Sequence, residues 1–128
     1  MAKKRYLILI IDDDEFLLDM YALKFREAGF DVEVAFNGGD ALEKIRQGLK
    51  PDVVLFDLIM PNMDGWGLVE SIKKEKLLDN TKFIVLSNLG QKEDIEKGKA
   101  LGVSDYIVKA YFTPSEIVNK VEAILEGQ

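Results

Sequence analysis

Four separated stretches of this 128-residue chain carry side chains that could do chemistry together. Asp12, Asp13 and Asp14 stand in a row after the apolar run "YLILII". Asp57 opens "DLIMPNMDG", Ser87 and Asn88 follow "KFIVL", and Lys109 ends "DYIVK". Crowded carboxylates raise one another's pKa unless a cation neutralises them. The chain has no histidine and no cysteine, so hard oxygen donors remain, and these suit Mg2+ or Mn2+ rather than zinc. A lysine opposite them supplies a second positive charge. Such a site is built to hold an anion beside a metal, and a phosphoryl group is the natural candidate. Asp57 fits the nucleophile, because a carboxylate attacking phosphorus gives an aspartyl phosphate.

Singly, each residue has a plainer explanation. Aspartates before a helix cap it or favour its dipole, and an aspartate opening a turn is ordinary turn chemistry. A lone lysine is usually solvated, and a lone serine is a strand-end hydroxyl. The joint pattern favours a site. Other chemistries are excluded by residue type: no Ser-His-Asp triad, histidine metal ligand, cysteine nucleophile or disulfide can form. Neither a dinucleotide-binding glycine fingerprint nor a P-loop is present. A net charge of −6 argues against a partner bound through nucleic-acid phosphates. No apolar run approaches the ~20 residues that span a bilayer, and the basic lead "MAKKRYLILIIDDDE" runs into acid too soon for a signal peptide. The expectation is a cytoplasmic chain with no direct nucleic-acid or membrane partner.

The elements that must position these residues alternate regularly. Buried-strand runs are expected at 6–11, 52–56 and 82–87, an alternating edge strand at "DVEVAF" and a fifth strand at "DYIVK". Between them lie amphipathic stretches. Leu18, Tyr21, Ala22, Phe25 and Ala28 form one helical face, Ala41, Leu42 and Ile45 a second, and Leu68, Val69 and Ile72 a third. "QKEDIEKGKALG" reads as a weak helix, because Ile95 is almost alone and Gly98 costs ~1 kcal/mol relative to Ala. The last helix has a capping box at Thr113 and Glu116, with Pro114 in its first position and Ile117, Val118, Val121, Ile124 and Leu125 inward. Strand–helix alternation implies a parallel sheet covered on both faces, one domain over 1–128. Sites in such sheets lie beyond the carboxyl ends of the strands, and those are the places where the four polar stretches fall.

Over its whole length the chain resembles the receiver domain of bacterial two-component response regulators. The residues carrying the resemblance are Asp12-Asp13, "DLIMPNMDG" led by Asp57, Ser87, and "DYIVK" with Tyr106 and Lys109. It implies the flavodoxin-like (βα)5 doubly wound sheet with strand order 2-1-3-4-5. It implies that Asp57 is the phosphoacceptor and that Mg2+ is held by Asp13, Asp57 and the backbone carbonyl of Ile59, with Asp12 acting mainly through water. Ser87 would hydrogen-bond one phosphoryl oxygen and Lys109 would pair with another. Ser87 and Tyr106 would form a switch pair biasing the face made by helix 4, strand 5 and helix 5. The donor implied is a phosphohistidine on a sensor histidine kinase or a histidine phosphotransfer domain, and the domain acts as a switch rather than a turnover enzyme. Asp14 is left to cap or charge the first helix.

Departures from the family pattern are local. Proline usually follows the lysine in a cis peptide, whereas this chain has "KAYFTP". Lys109–Ala110 is therefore either trans with a differently bent loop, or a non-proline cis bond costing ~3 kcal/mol. Asn88 is larger than the small residue usual there, which tightens phosphoryl access. Ile59 and Leu89 are apolar and cannot orient an attacking water, so slow self-dephosphorylation is expected. Two other function classes fit the composition: a pseudo-receiver that only binds proteins, and a Mg2+-dependent phosphohydrolase, for which Asp12-x-Asp14 has suitable spacing but a cap insertion is missing. A mixed surface including Lys92, Glu93, Lys97, Tyr111 and Lys120 leaves monomer or weak homodimer open.

Overall fold

The computed structural model describes residues 5–89 and 91–127. Five strands, β1 (Leu7–Ile11), β2 (Asp31–Ala35), β3 (Val53–Phe56), β4 (Lys82–Ser87) and β5 (Asp105–Val108), form one sheet in the order β2-β1-β3-β4-β5. Every pairing is parallel. Helices α1 (Glu15–Glu27), α2 (Gly38–Arg46), α3 (Gly65–Lys74), α4 (Lys92–Leu101) and α5 (Pro114–Leu125) connect and follow the strands. This is the flavodoxin-like doubly wound fold. Strand order reverses direction at β1, so right-handed crossovers send α1 to one face and α2, α3 and α4 to the other.

The two-residue period of the strands fills both faces. Leu9, Ile11, Val54, Phe56 and Val85 pack with Leu42, Leu68 and Ile72 from α2 and α3. Ile8, Ile10, Leu55, Ile84 and Ile107 pack with Leu18, Phe25, Ile117 and Val121 from α1 and α5. Burying each such side chain is worth about 1.5–3 kcal/mol against leaving it exposed, which fixes the register, because a one-residue slip would swap the faces. The central strands β1 and β3 are the most enclosed, while β2 at one edge is half-buried along most of its length.

Helix starts follow the expected chemistry. Asp14 caps α1, its carboxylate accepting from the Leu17 amide at 3.1 Å. The capping box of α5 is complete, with the Glu116 amide donating to Thr113 Oγ1 at 3.2 Å and the Thr113 amide donating to Glu116 Oε1 at 2.8 Å. Element bounds differ from the expected ones by a residue: β1 begins at Leu7 and β3 at Val53. The larger difference is at the end of β5, where Lys109 leaves the sheet and joins a single 3-10 turn, Lys109–Tyr111. No cis peptide occurs among the described residues, so the loop bends through that turn instead.

Candidate functional site

The site is assembled by the ends of β1, β3, β4 and β5. Asp12 and Asp57 continue the sheet for one more bond each, the Asp12 amide donating to the Ala35 carbonyl at 3.2 Å and the Asp57 amide to the Ile11 carbonyl at 3.1 Å. Those bonds bring the two aspartates side by side at the switch point. Carboxylate oxygens of Asp12, Asp13 and Asp57 all lie within 4.8 Å of one another. Asp12 is buried, at 2% exposure, whereas Asp13 is exposed.

Lys109 reaches in from the far edge of the sheet. Its Nζ donates to Asp12 Oδ2 at 2.6 Å and to Asp57 Oδ2 at 2.7 Å. Burial works against the charge on this ammonium, but the two carboxylate bonds outweigh it and hold the lysine above its ordinary pKa. Burial also pushes the Asp12 carboxyl up, and the hydrogen bond from Lys109 only partly offsets that. Three carboxylates against one ammonium leave two negative charges in a small volume. That balance, with oxygen donors alone, is what a hard divalent cation would complete.

The remaining oxygens of Asp12 and Asp57 are already committed. Asp12 Oδ1 accepts from the Asp14 amide at 2.9 Å, and Asp57 Oδ1 accepts from the Ile59 amide at 3.3 Å. Asp13 has no such partner among the described residues and faces the open side. Asp14 is taken up by capping α1 and lies outside the cluster. A cleft lined by Asp13, Asp57, Ile59, Ser87, Asn88 and Leu89 opens over the acidic group. Ser87 is buried at 1% exposure, its Oγ accepting from the Leu89 amide at 3.2 Å. Ile59 projects at 61% exposure beside it.

Tyr106 lies on β5 with its ring half-buried against the core on the α2–α3–α4 face, and its hydroxyl donates to the Leu89 carbonyl. Burial raises this phenol to about 12, so it stays a donor at neutral pH. The Leu89 peptide region thus joins Ser87 to Tyr106 through a hydrogen bond between Leu89 and Tyr106, residues 17 apart, that no local pattern announces.

Asp12, Asp13, Asp57, Ile59, Ser87 and Lys109 therefore fall on one rim, Tyr106 lies inside β5 and approaches it only through the Leu89 carbonyl, and Lys109 reaches both carboxylates without a proline after it. Gly65 has a role at the site that no sequence pattern signals. A Cβ at Gly65 would meet the Asp57 carbonyl oxygen at 2.7 Å and the Phe56 ring at 2.8 Å, so only glycine lets α3 begin this close to Asp57.

Comparison with known proteins points one way. Residues 8–122 match the response regulator receiver domain family. The alkaline phosphatase synthesis transcriptional regulatory protein PhoP of Bacillus subtilis is 32% identical over 120 residues, covering 92% of this chain and 48% of that protein. The DNA-binding response regulator MtrA of Mycolicibacterium smegmatis is 34% identical over 125 residues, 98% of this chain and 53% of that protein. The chain thus spans about half the length of these curated relatives. Among solved structures, the receiver domain of the Francisella response regulator 1452 superposes with a TM-score of 0.84 at 32% identity, covering 95% of this chain and 98% of that one. The Vibrio cholerae chemotaxis response regulator CheY4 superposes with a TM-score of 0.85 at 27% identity, covering 94% and 99%. The expected absence of a nucleic-acid partner, argued from net charge, finds no support in relatives that include DNA-binding regulators. Net charge reports the field of the residues in hand and says nothing of what they are joined to. No helix among the described residues is long and apolar enough to cross a membrane.

Proposed function

The chain belongs to the response regulator receiver domain family, and from that premise we propose that residues 1–128 form a unit that accepts a phosphoryl group on Asp57 from a phosphohistidine donor. The donor is a sensor histidine kinase or a histidine phosphotransfer domain. The observation that carries the reading is Lys109 Nζ bridging Asp12 and Asp57 at 2.6 and 2.7 Å in a three-carboxylate cluster.

In this reading an Asp57 oxygen forms the bond to phosphorus as the phosphorus–nitrogen bond of the donor breaks, and the imidazole leaves. Asp13, Asp57 and the Ile59 carbonyl would hold Mg2+ or Mn2+, with Asp12 behind them through water. Asp12 is suited to the indirect role because it is buried at 2% exposure and, unlike Asp13 and Asp57, does not line the open cleft. The ion, when bound, neutralises charge on the phosphoryl oxygens. Lys109 lies beside the accepting carboxylate, where its ammonium is placed to pair with a phosphoryl oxygen. Ser87 sits in the lining of the same cleft and offers a hydroxyl to another. Positioning and charge neutralisation do the work, with little acid–base chemistry. The domain is a switch whose output is the face formed by α4, β5 and α5, biased through Ser87, Leu89 and Tyr106. What that output controls, DNA-binding included, belongs to whatever the domain acts on.

Incubation with acetyl phosphate and Mg2+, read by intact mass, tests the reading. One phosphoryl adduct, absent in Asp57→Ala, is expected. No adduct at all supports a protein-binding pseudo-receiver, and an adduct lost in Asp12→Ala but kept in Asp57→Ala supports a phosphohydrolase.

A further inference from the structure

Helix α4 is weakly held along its first turns and held firmly only at Gly98 and its end. Gly98 is its only buried residue. Its first turn has no side-chain cap, Gln91 making no such bond. Its end is tied down: the Gly102 and Val103 amides donate back to Lys99 and Gly98 at 3.1 and 3.0 Å, with Gly102 in the left-handed conformation. At Gly98 the helix rests on the indole of Trp66. A Cβ there would lie 3.0 Å from Trp66 Cη2 and 2.9 Å from Val103 Cγ2. The glycine that weakens the helix in isolation is the seat that lets α4 approach the ring.

Trp66 is itself anchored toward the acidic site. It is the second residue of α3, directly after Gly65, which is pressed against the Asp57 carbonyl. Its ring packs edge-on against Phe56, the neighbour of Asp57, at 6.4 Å between centroids. A cavity whose lining includes Ile59, Met60, Trp66, Leu89 and Asp94 is bordered by both the indole and the first turn of α4. Ile59 and Leu89 also line the acidic cleft, so the empty space beside the helix start and the site share a wall.

We propose that Trp66 is a positioning residue on which α4 pivots at Gly98, so that filling the site at Asp57 swings the uncapped start of α4 while its end stays fixed. This rests on the phosphoacceptor reading and adds the lever through which it acts. The indole supplies a rigid fulcrum and the cavity supplies room, and the fit depends on a large ring facing a residue with no side chain. Enlarging Gly98 should therefore unseat the helix, and shrinking Trp66 in the same molecule should seat it again.

Trp66 is the only tryptophan of the chain, so its emission reports the seat directly. Beryllofluoride with Mg2+ serves as the probe, with bound fluorine followed by 19F NMR to show that the site has filled. The expected result is a change in Trp66 emission that follows the bound fluorine signal and is absent in Asp57→Ala. In Gly98→Ala the bound fluorine signal persists, the emission change is lost, and amide exchange across 92–101 in the unfilled protein quickens by about tenfold or more, as overpacking a close contact promotes local opening. Adding Trp66→Leu to Gly98→Ala returns exchange to near that of the parent, a coupling that independent structural damage would not give. A bound fluorine signal with unchanged Trp66 emission overturns the pivot alone, as do additive effects in the double variant. No bound fluorine signal in the parent overturns the phosphoacceptor reading and the pivot with it.

Discussion

If the acidic cluster exists to hold a metal, it should be a burden on the metal-free fold, and Asp13→Asn measures that burden. The carboxylates of Asp12, Asp13 and Asp57 lie within 4.8 Å of one another. Because Asp13 is exposed, a water-like dielectric is appropriate, and each pair at that distance repels by about 0.9 kcal/mol. Two such pairs give roughly 1.7 kcal/mol, and the Lys109 ammonium returns a good part of it, leaving about 1 kcal/mol. The variant should therefore be more stable than the parent in EDTA. With an m-value of about 2 kcal/mol per molar, the urea midpoint should rise by about 0.5 M. Adding Mg2+ should reverse the order, since a ligand stabilises in proportion to its occupancy of the folded state and Asp13 is the carboxylate with no other partner. A midpoint in EDTA that falls, or one that responds to Mg2+ as the parent does, would refute this reasoning.

Further expectations follow from the same contacts. Lys109→Ala leaves the buried Asp12 beside Asp57 with no cation and should lower stability by about 2–3 kcal/mol in EDTA, measured by urea unfolding. Thr113→Ala should lose the α5 cap at about 1 kcal/mol. Glu116 is held below its ordinary pKa of 4.5 by the Thr113 amide first and its hydroxyl second. Its contribution is therefore complete above that ordinary value and lost as pH falls through the lower folded one. Unfolding midpoints across pH 5 to 3 should fall less steeply in Glu116→Gln than in the parent. Ile59→Asn with Leu89→Glu should shorten the aspartyl-phosphate lifetime by supplying hydrogen-bonding groups for an attacking water, and an unchanged lifetime would remove the argument for slow self-dephosphorylation.

The elements were legible because their signals are local. Strand runs, helical faces, the Asp14 cap and the Thr113–Glu116 box each depend on neighbours within a few residues. So was the rim, since a parallel sheet places all strand ends together. What stayed hidden depends on contacts between distant segments. Gly98 reads as a defect in a helix considered alone and becomes a seat only when Trp66, 32 positions earlier, is set against it. Trp66 flanks the Leu68–Val69–Ile72 stripe and is buried by turning toward α4, which periodicity within α3 does not reveal. Gly65 is needed because of the Asp57 carbonyl rather than for a turn. The path of Lys109 could not be read either: without proline both peptide geometries were open, and the 3-10 turn at Lys109–Tyr111 settles the backbone while leaving the ammonium on both carboxylates.

The proposed function requires the phosphoryl group to reside on Asp57. Reduction of the acetyl-phosphate-treated protein with borohydride converts an aspartyl phosphate to homoserine, which peptide sequencing by tandem mass spectrometry locates to a single position. Homoserine is expected at position 57 and nowhere else. Homoserine at 12 or 13, or none in a protein that carries a phosphoryl adduct, would contradict it.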